Sequence, residues 1–207
     1  MPAKDEKITT IIFDFDGVLS HDNTDEALKK HLPPDEAASA HSKLIASRYL
    51  YDCMVGAISF NEFKLKFAEM SGISSALIDE VAKDMIDSRS LDQTVLNLTK
   101  RLKDEGFSLV LHSDMMKVPF DSWTRRFLLK DIFDHLICSA HIGSLKNNPE
   151  TYDKILKFLG VAPQEVIYVD DSSANIYTAK SKGIEGVVFI DTESLLKELG
   201  RRGLILF

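Results

Sequence analysis

The chain has 207 residues, 44% of them hydrophobic and 28% charged, enough for one α/β domain with a small second lobe. Thirty-two acidic residues against 25 basic ones leave a formal charge of -7, which excludes the basic footprint of a nucleic-acid binder. An anionic substrate must then be drawn by a local positive site. Cys53 and Cys138 form no C-x-x-C, so reduced, packed thiols are expected rather than a disulfide framework or a zinc site. The charged start MPAKDEK is followed by no long apolar run, so neither an export signal nor a membrane span is expected, and the expected compartment is the cytoplasm.

In chain order, Thr9 to Phe13 is the first of the short apolar runs that read as buried parallel strands. From about residue 20 to 88 no strand pattern occurs, only helical periodicity. Pro33-Pro34 breaks the chain there and favours a helix start at Asp35. Ser59 with Glu62 forms a capping box before Phe63, Phe67 and Met70 on one face, and Leu77, Val81 and Met85 mark a further helix. This stretch is expected to be an all-helical lobe of three or four helices. Strand and helix then alternate. Leu91, Val95, Leu98 and Leu102 mark a helix stopped by Gly106, and strands are expected at Ser108 to His112 and, less apolar, at His135 to Ser139. A helix follows Pro149, carries Tyr152, Ile155 and Leu159, and ends at Gly160. The last strands are Val166 to Val169 and Gly186 to Ile190. Leu195, Leu196 and Leu199 then follow the cap candidates Asp191 and Thr192, with Gly200 as a break. The alternation predicts an α/β fold with a Rossmann-like parallel sheet flanked by helices, built from residues 1–19 and 89–207.

Acidic and hydroxyl side chains gather at predicted strand ends. Asp14 and Asp16 follow the first strand, at the sheet edge where open α/β folds bind ligands. Alone, such a D-x-D-G is as often a polar turn. Ser113 and Asp114 follow the second strand, Lys146 precedes a helix, and Asp170 and Asp171 end a later strand. Adjacent acids repel unless a cation or a helix N-terminus compensates. Together the set supplies what phosphoryl transfer needs: a nucleophile, an acid/base, donors to phosphoryl oxygens, and oxygen ligands for Mg²⁺.

Over essentially its whole length the chain resembles the haloacid dehalogenase-like hydrolase superfamily, on IIFDFDGVL, LVLHSD, Lys146 with NPETY, and VIYVDDSSANIYTAKSKGI. The resemblance implies Asp14 as the nucleophile attacking phosphorus, and Asp16 as the group that protonates the leaving oxygen and then activates water. It implies Mg²⁺ held by Asp14, the backbone carbonyl of Asp16, and Asp170 with or without Asp171. Ser113 and Lys146 then bind the transferring phosphoryl group, with Asp114 beside the substrate. Residues 20–88 resemble the small helical cap of one branch of that superfamily, which closes over small-molecule substrates. The implied reaction is Mg²⁺-dependent hydrolysis of a small phosphate monoester, a sugar phosphate among the candidates, through an aspartyl phosphate. A phosphomutase and a catalytically silent binding protein stay open as alternatives. A signalling receiver is disfavoured because its phosphorylated Asp follows a later strand.

Three features depart from the family pattern. Asp114 stands where Asn is usual, Asn147 and Asn148 replace the Pro-Asp/Glu after the lysine and predict a less rigid loop, and His21-Asp22 follows the first motif. In the helical stretch, Asn23 and Arg48 are candidates to reach substrate. Trp123 reads as core, and His112 as packed.

Overall fold

A computed structural model describes residues 7–205. Five strands, β1 (Thr10–Phe13), β2 (Ser108–Ser113), β3 (His135–Cys138), β4 (Val166–Asp170) and β5 (Glu185–Val188), form one parallel sheet in the order β3-β2-β1-β4-β5. All five expected strands are present. β5 stops short of the expected Ile190 because it is an edge strand, with Val188 and Ile190 turned to solvent.

The side-chain period of two divides the central strands between two cores. Ile11, Phe13, Leu109, Leu111, Ile167 and Val169 enter the larger core, whereas Ile12, Val110, Val166 and Tyr168 enter the other. Both faces of these strands are therefore covered, which is why they read as continuous apolar runs. The larger core continues through Phe15, Val18 and Leu19 into the helices that follow β1.

Five helices lie between β1 and the first core helix: α1 (Thr24–His31), α2 (Pro34–Ile45), α3 (Arg48–Met54), α4 (Phe60–Ser71) and α5 (Ser75–Asp87). Short α3, capped by the Ser47 hydroxyl, has too few turns to show a periodic face and accounts for the helix beyond the three or four expected. α2 begins one residue earlier than expected, with Pro34 in its first turn, where a missing N–H costs nothing. Ser59 caps α4, and Phe63 and Phe67 are buried, but Met70 is exposed.

The rest of the chain adds α6 (Gln93–Asp104), α7 (Lys117–Arg126), α8 (Leu129–Ile132), α9 (Ser139–Ile142), α10 (Pro149–Leu159), α11 (Ser173–Lys180) and α12 (Thr192–Arg201). Asp92 caps α6, which buries Val95, Leu98 and Leu102. α10 ends at Gly160 in the left-handed region, as read from the sequence. α12 starts at the Asp191 cap but runs through Gly200 to Arg201, because a glycine lowers helix propensity without forbidding the helix. Cys53 and Cys138 are free and buried, and burial pushes their thiols up to about 11 and about 12. No helix among the described residues is long and apolar enough to cross a membrane.

Candidate active site

The strand order reverses direction around β1, so the connections after β1 and β4 diverge and leave a crevice at the carboxyl edge. Register carries the acids into it. Phe13 pairs with Val169, so the next residues, Asp14 and Asp170, emerge side by side, and the Asp14 N–H donates to the Val169 carbonyl at 2.9 Å. β2 delivers Ser113 and Asp114 from the other flank of β1.

All seven residues singled out from the sequence, five acids, a hydroxyl and a lysine, meet here. Asp14, Asp16, Ser113, Asp114, Lys146 and Asp171 line a polar cup of about 390 Å³, with Gly17, His21, Asp22 and Asn175 completing it. Asp170 is fully buried at its base, 2.9 Å from the Lys146 ammonium. Lys146 Nζ also lies 2.5 Å from Asp14 Oδ1, which accepts the Phe15 N–H as well. Burial alone would push Lys146 down, but the carboxylates of Asp14, Asp170 and Asp114 overcome it and hold the ammonium above its usual value. Burial pushes Asp14 up to about 7, with Lys146 opposing and Asp170 adding to the rise. Asp114 is likewise pushed up by burial, to about 6.

Asp14, Asp170 and Asp171 each place a carboxylate oxygen within 4.8 Å of the other two. Lys146 pairs with Asp14 and Asp170, and among the described residues Asp171 has no protein cation against it. Hard oxygen donors in excess of positive charge are a donor set that suits Mg²⁺. Asp170 is held rigidly for such a role. Its Oδ1 accepts the Ser172 N–H and the Asn175 amide at 2.8 and 3.1 Å.

The loop carrying Lys146 is tied down in spite of Asn147 and Asn148. Both oxygens of Asp114 accept the Lys146 N–H at 3.1 Å, Asn148 caps α10, and the Thr151 hydroxyl donates to the Leu145 carbonyl. Asp114 thus anchors the lysine's backbone, a role unseen in the sequence. His112 is packed, its Nδ1 2.6 Å from the Tyr168 hydroxyl.

Arg89 is the main feature the sequence reading missed. It is buried against the stacked pair Phe15 and Trp123, with its guanidinium carbon 4.5 Å from the Trp123 ring centroid, and it forms an ion pair with Asp16. Its Nη1 donates to Asn23 Oδ1 at 2.9 Å, and burial lowers its pKa to about 10. Asn23 in turn donates to the Met85 carbonyl and the Ser88 hydroxyl. Asn23 therefore joins the two connections of the helical stretch, while Arg48 is exposed and pairs with Asp52. Asn175 lies within VIYVDDSSANIYTAKSKGI, five residues after Asp170. Arg89 had no such signal, since its partners are 66 and more residues away or on separate elements.

The sequence profile of haloacid dehalogenase-like hydrolases matches residues 11–189. The chain belongs to that family. Epoxide hydrolase 2 of Rattus norvegicus is 28% identical over 211 residues, which cover 90% of this chain and 37% of the relative. The chain thus spans less than two fifths of the epoxide hydrolases that it matches. The D-ribitol-5-phosphate phosphatase of Bacteroides thetaiotaomicron is 27% identical, over 86% of this chain and 90% of the relative. Among solved structures, a family member from the same bacterium, in complex with magnesium and inorganic phosphate, superposes with a TM-score of 0.74. It is 21% identical, covering 91% of this chain and 98% of that one. A HAD-like hydrolase of Porphyromonas gingivalis gives 0.76 at 20% identity, over 96% and 99% of the two chains. These likenesses establish the shared fold.

Proposed function

We propose that the protein is a Mg²⁺-dependent phosphatase that passes a phosphoryl group through Asp14. The observation that carries this reading is the Lys146 ammonium lodged between Asp14 and Asp170, beside Asp171 and Ser113. A carboxylate attacking a phosphate dianion meets like-charge repulsion, and the cup holds both a fixed cation and the donors for a second one.

Asp14 Oδ1 is committed to Lys146 and the Phe15 N–H, which leaves Oδ2 to attack phosphorus. As the O–P bond to Asp14 forms, the ester P–O bond breaks, and the leaving oxygen takes a proton from Asp16. Asp16 then accepts a proton from water, whose oxygen attacks the same phosphorus and breaks the Asp14–phosphorus link. Inorganic phosphate leaves and Asp14 is restored. Ser113 and Lys146 hold the phosphoryl oxygens during both displacements. Asp14, the Asp16 carbonyl, Asp170 and Asp171 would hold Mg²⁺, which supplies neutralisation of the phosphoryl charge. Burial disfavours ionised Asp14, and a divalent cation at this cluster favours the carboxylate that attack requires.

Residues 20–88 act in this reading as a cap over the cup. Their two connections are fastened together near the core. The Ser20 hydroxyl donates to the Ser90 carbonyl at 2.7 Å, and the Asp92 N–H donates to the Leu19 carbonyl at 2.8 Å.

The test is phosphate release from an aryl phosphate. Turnover is expected to vanish with a chelator, to return with Mg²⁺, and to return poorly with Ca²⁺, whose looser coordination spoils in-line geometry. Full turnover in metal-free buffer would remove the reading.

A further inference from the structure

A second cavity, of about 210 Å³, adjoins the polar cup and shares Asp16, Asp22 and Asp114 with it. Its walls are of another kind. Leu28 of α1, Phe63 and Phe67 of α4, and Ile78, Val81 and Met85 of α5 face it, and all are buried. Thr24 and His41 also line it, with charged side chains that are already engaged. Arg89 meets Asp16, and Lys64 meets Asp79.

Resting on the phosphatase reading above, we propose that this cavity receives the hydrocarbon part of the leaving alcohol. The substrates are then phosphate monoesters of apolar alcohols. Continuity with the cup makes the case. Asp16, which meets the leaving oxygen, lies on the rim shared by cup and cavity, so the carbons attached to that oxygen enter the cavity first. A sugar or polyol phosphate in the same place sets several hydroxyls against Leu, Ile, Val, Phe and Met. Each hydroxyl without a partner there costs roughly tenfold or more in binding. An alkyl chain instead gains about fourfold for every methylene removed from water. The bonds made and broken are those already given: the alcohol departs with the proton from Asp16, and the phosphoryl group remains on Asp14 until water removes it.

The experiment measures kcat/KM by phosphate release, with Mg²⁺, for n-alkyl phosphates from ethyl to octyl. A polyol phosphate matched in carbon number and an aryl phosphate complete the panel. The expected result is a rise of about fourfold per added methylene until the cavity is full. The matched polyol phosphate should fall at least roughly a hundredfold below its alkyl counterpart. Ala82→Phe, which adds a ring at a half-buried lining position, should flatten the chain-length slope. That slope is a ratio within one protein, so a loss shared by all esters does not move it. A flat slope in the wild type, or a polyol phosphate as good as the alkyl ester, overturns the inference while aryl turnover upholds the phosphatase reading. No phosphate release from any ester overturns both.

Discussion

Asp14 is buried beside Asp170, with one lysine between them, and that arrangement has a consequence for pH. Its folded pKa of about 7 lies above the ordinary 3.8, so the folded protein binds this proton more tightly than the unfolded chain. The stability it contributes is fully present below pH 3.8 and is lost as pH rises through about 7, a loss of up to about 4 kcal/mol. Asp14→Asn lacks that loss. In chelator, the Tm of the variant minus that of wild type should therefore increase between pH 5 and 8, by on the order of 10 °C. A constant difference across that range would refute the assignment. Arg89 offers a second test at this scale. Replacing it with Met leaves Asp16 without its cation and should lower stability by about 1–3 kcal/mol. That is less than for a fully buried pair, because the Asp16 side chain is 34% exposed. Turnover should drop at least tenfold, since Asp16 also loses its positioning partner. Denaturant melts and kcat check both, and a variant with wild-type stability and rate would show the pair to be idle. The acids of the cup were legible because each follows an apolar strand. Arg89 was not, because its role comes from distant residues packing around it, and a lone arginine reads as surface.

The turn after β1 shows how an element shapes the cup. Gly17 has φ +77°, and a Cβ there would lie 2.2 Å from Asp171 Oδ2. The turn closes through the Leu19 and Ser20 N–H groups donating to the Phe15 carbonyl and the Gly17 N–H donating to the Ser20 carbonyl. Glycine is thus needed twice, for the left-handed backbone and for the approach of a candidate metal ligand. Gly17→Ala should cost roughly 1–2 kcal/mol of backbone strain and push Asp171 aside. Mg²⁺ titration by calorimetry should show at least tenfold weaker binding in a protein that still melts cooperatively; unchanged affinity would release Asp171 from the metal set. At this scale the sequence was informative where periodicity is long and caps are strong, as in α6 and α10. It misled where one residue outweighed its context. Gly200 was read as a break although the Leu195 and Leu199 face holds α12 together, and Met70 was placed inside although α4 turns it outward.

Across the whole molecule, two environments meet at one rim, a charged cup on the sheet edge and an apolar cavity among the helices after β1. The parallel sheet was legible because both its faces are covered, which leaves uninterrupted apolar runs in the sequence. The cavity was not, because its lining residues come from separate helices and each reads as ordinary core until the helices are assembled. In the proposed reaction, the net charge of -7 would place the burden of drawing a phosphate ester on Lys146 and a divalent cation. The central claim is that Asp14 carries the phosphoryl group between alcohol and water. The direct measurement is a rapid quench during turnover of a phosphate ester labelled in its phosphoryl group, followed by peptide mapping. The label should appear transiently on the peptide containing Asp14 and be absent from Asp14→Asn, whose kcat should fall at least ~10⁴-fold. Phosphate released at the wild-type rate by that variant, or label found on a different residue, would contradict the account.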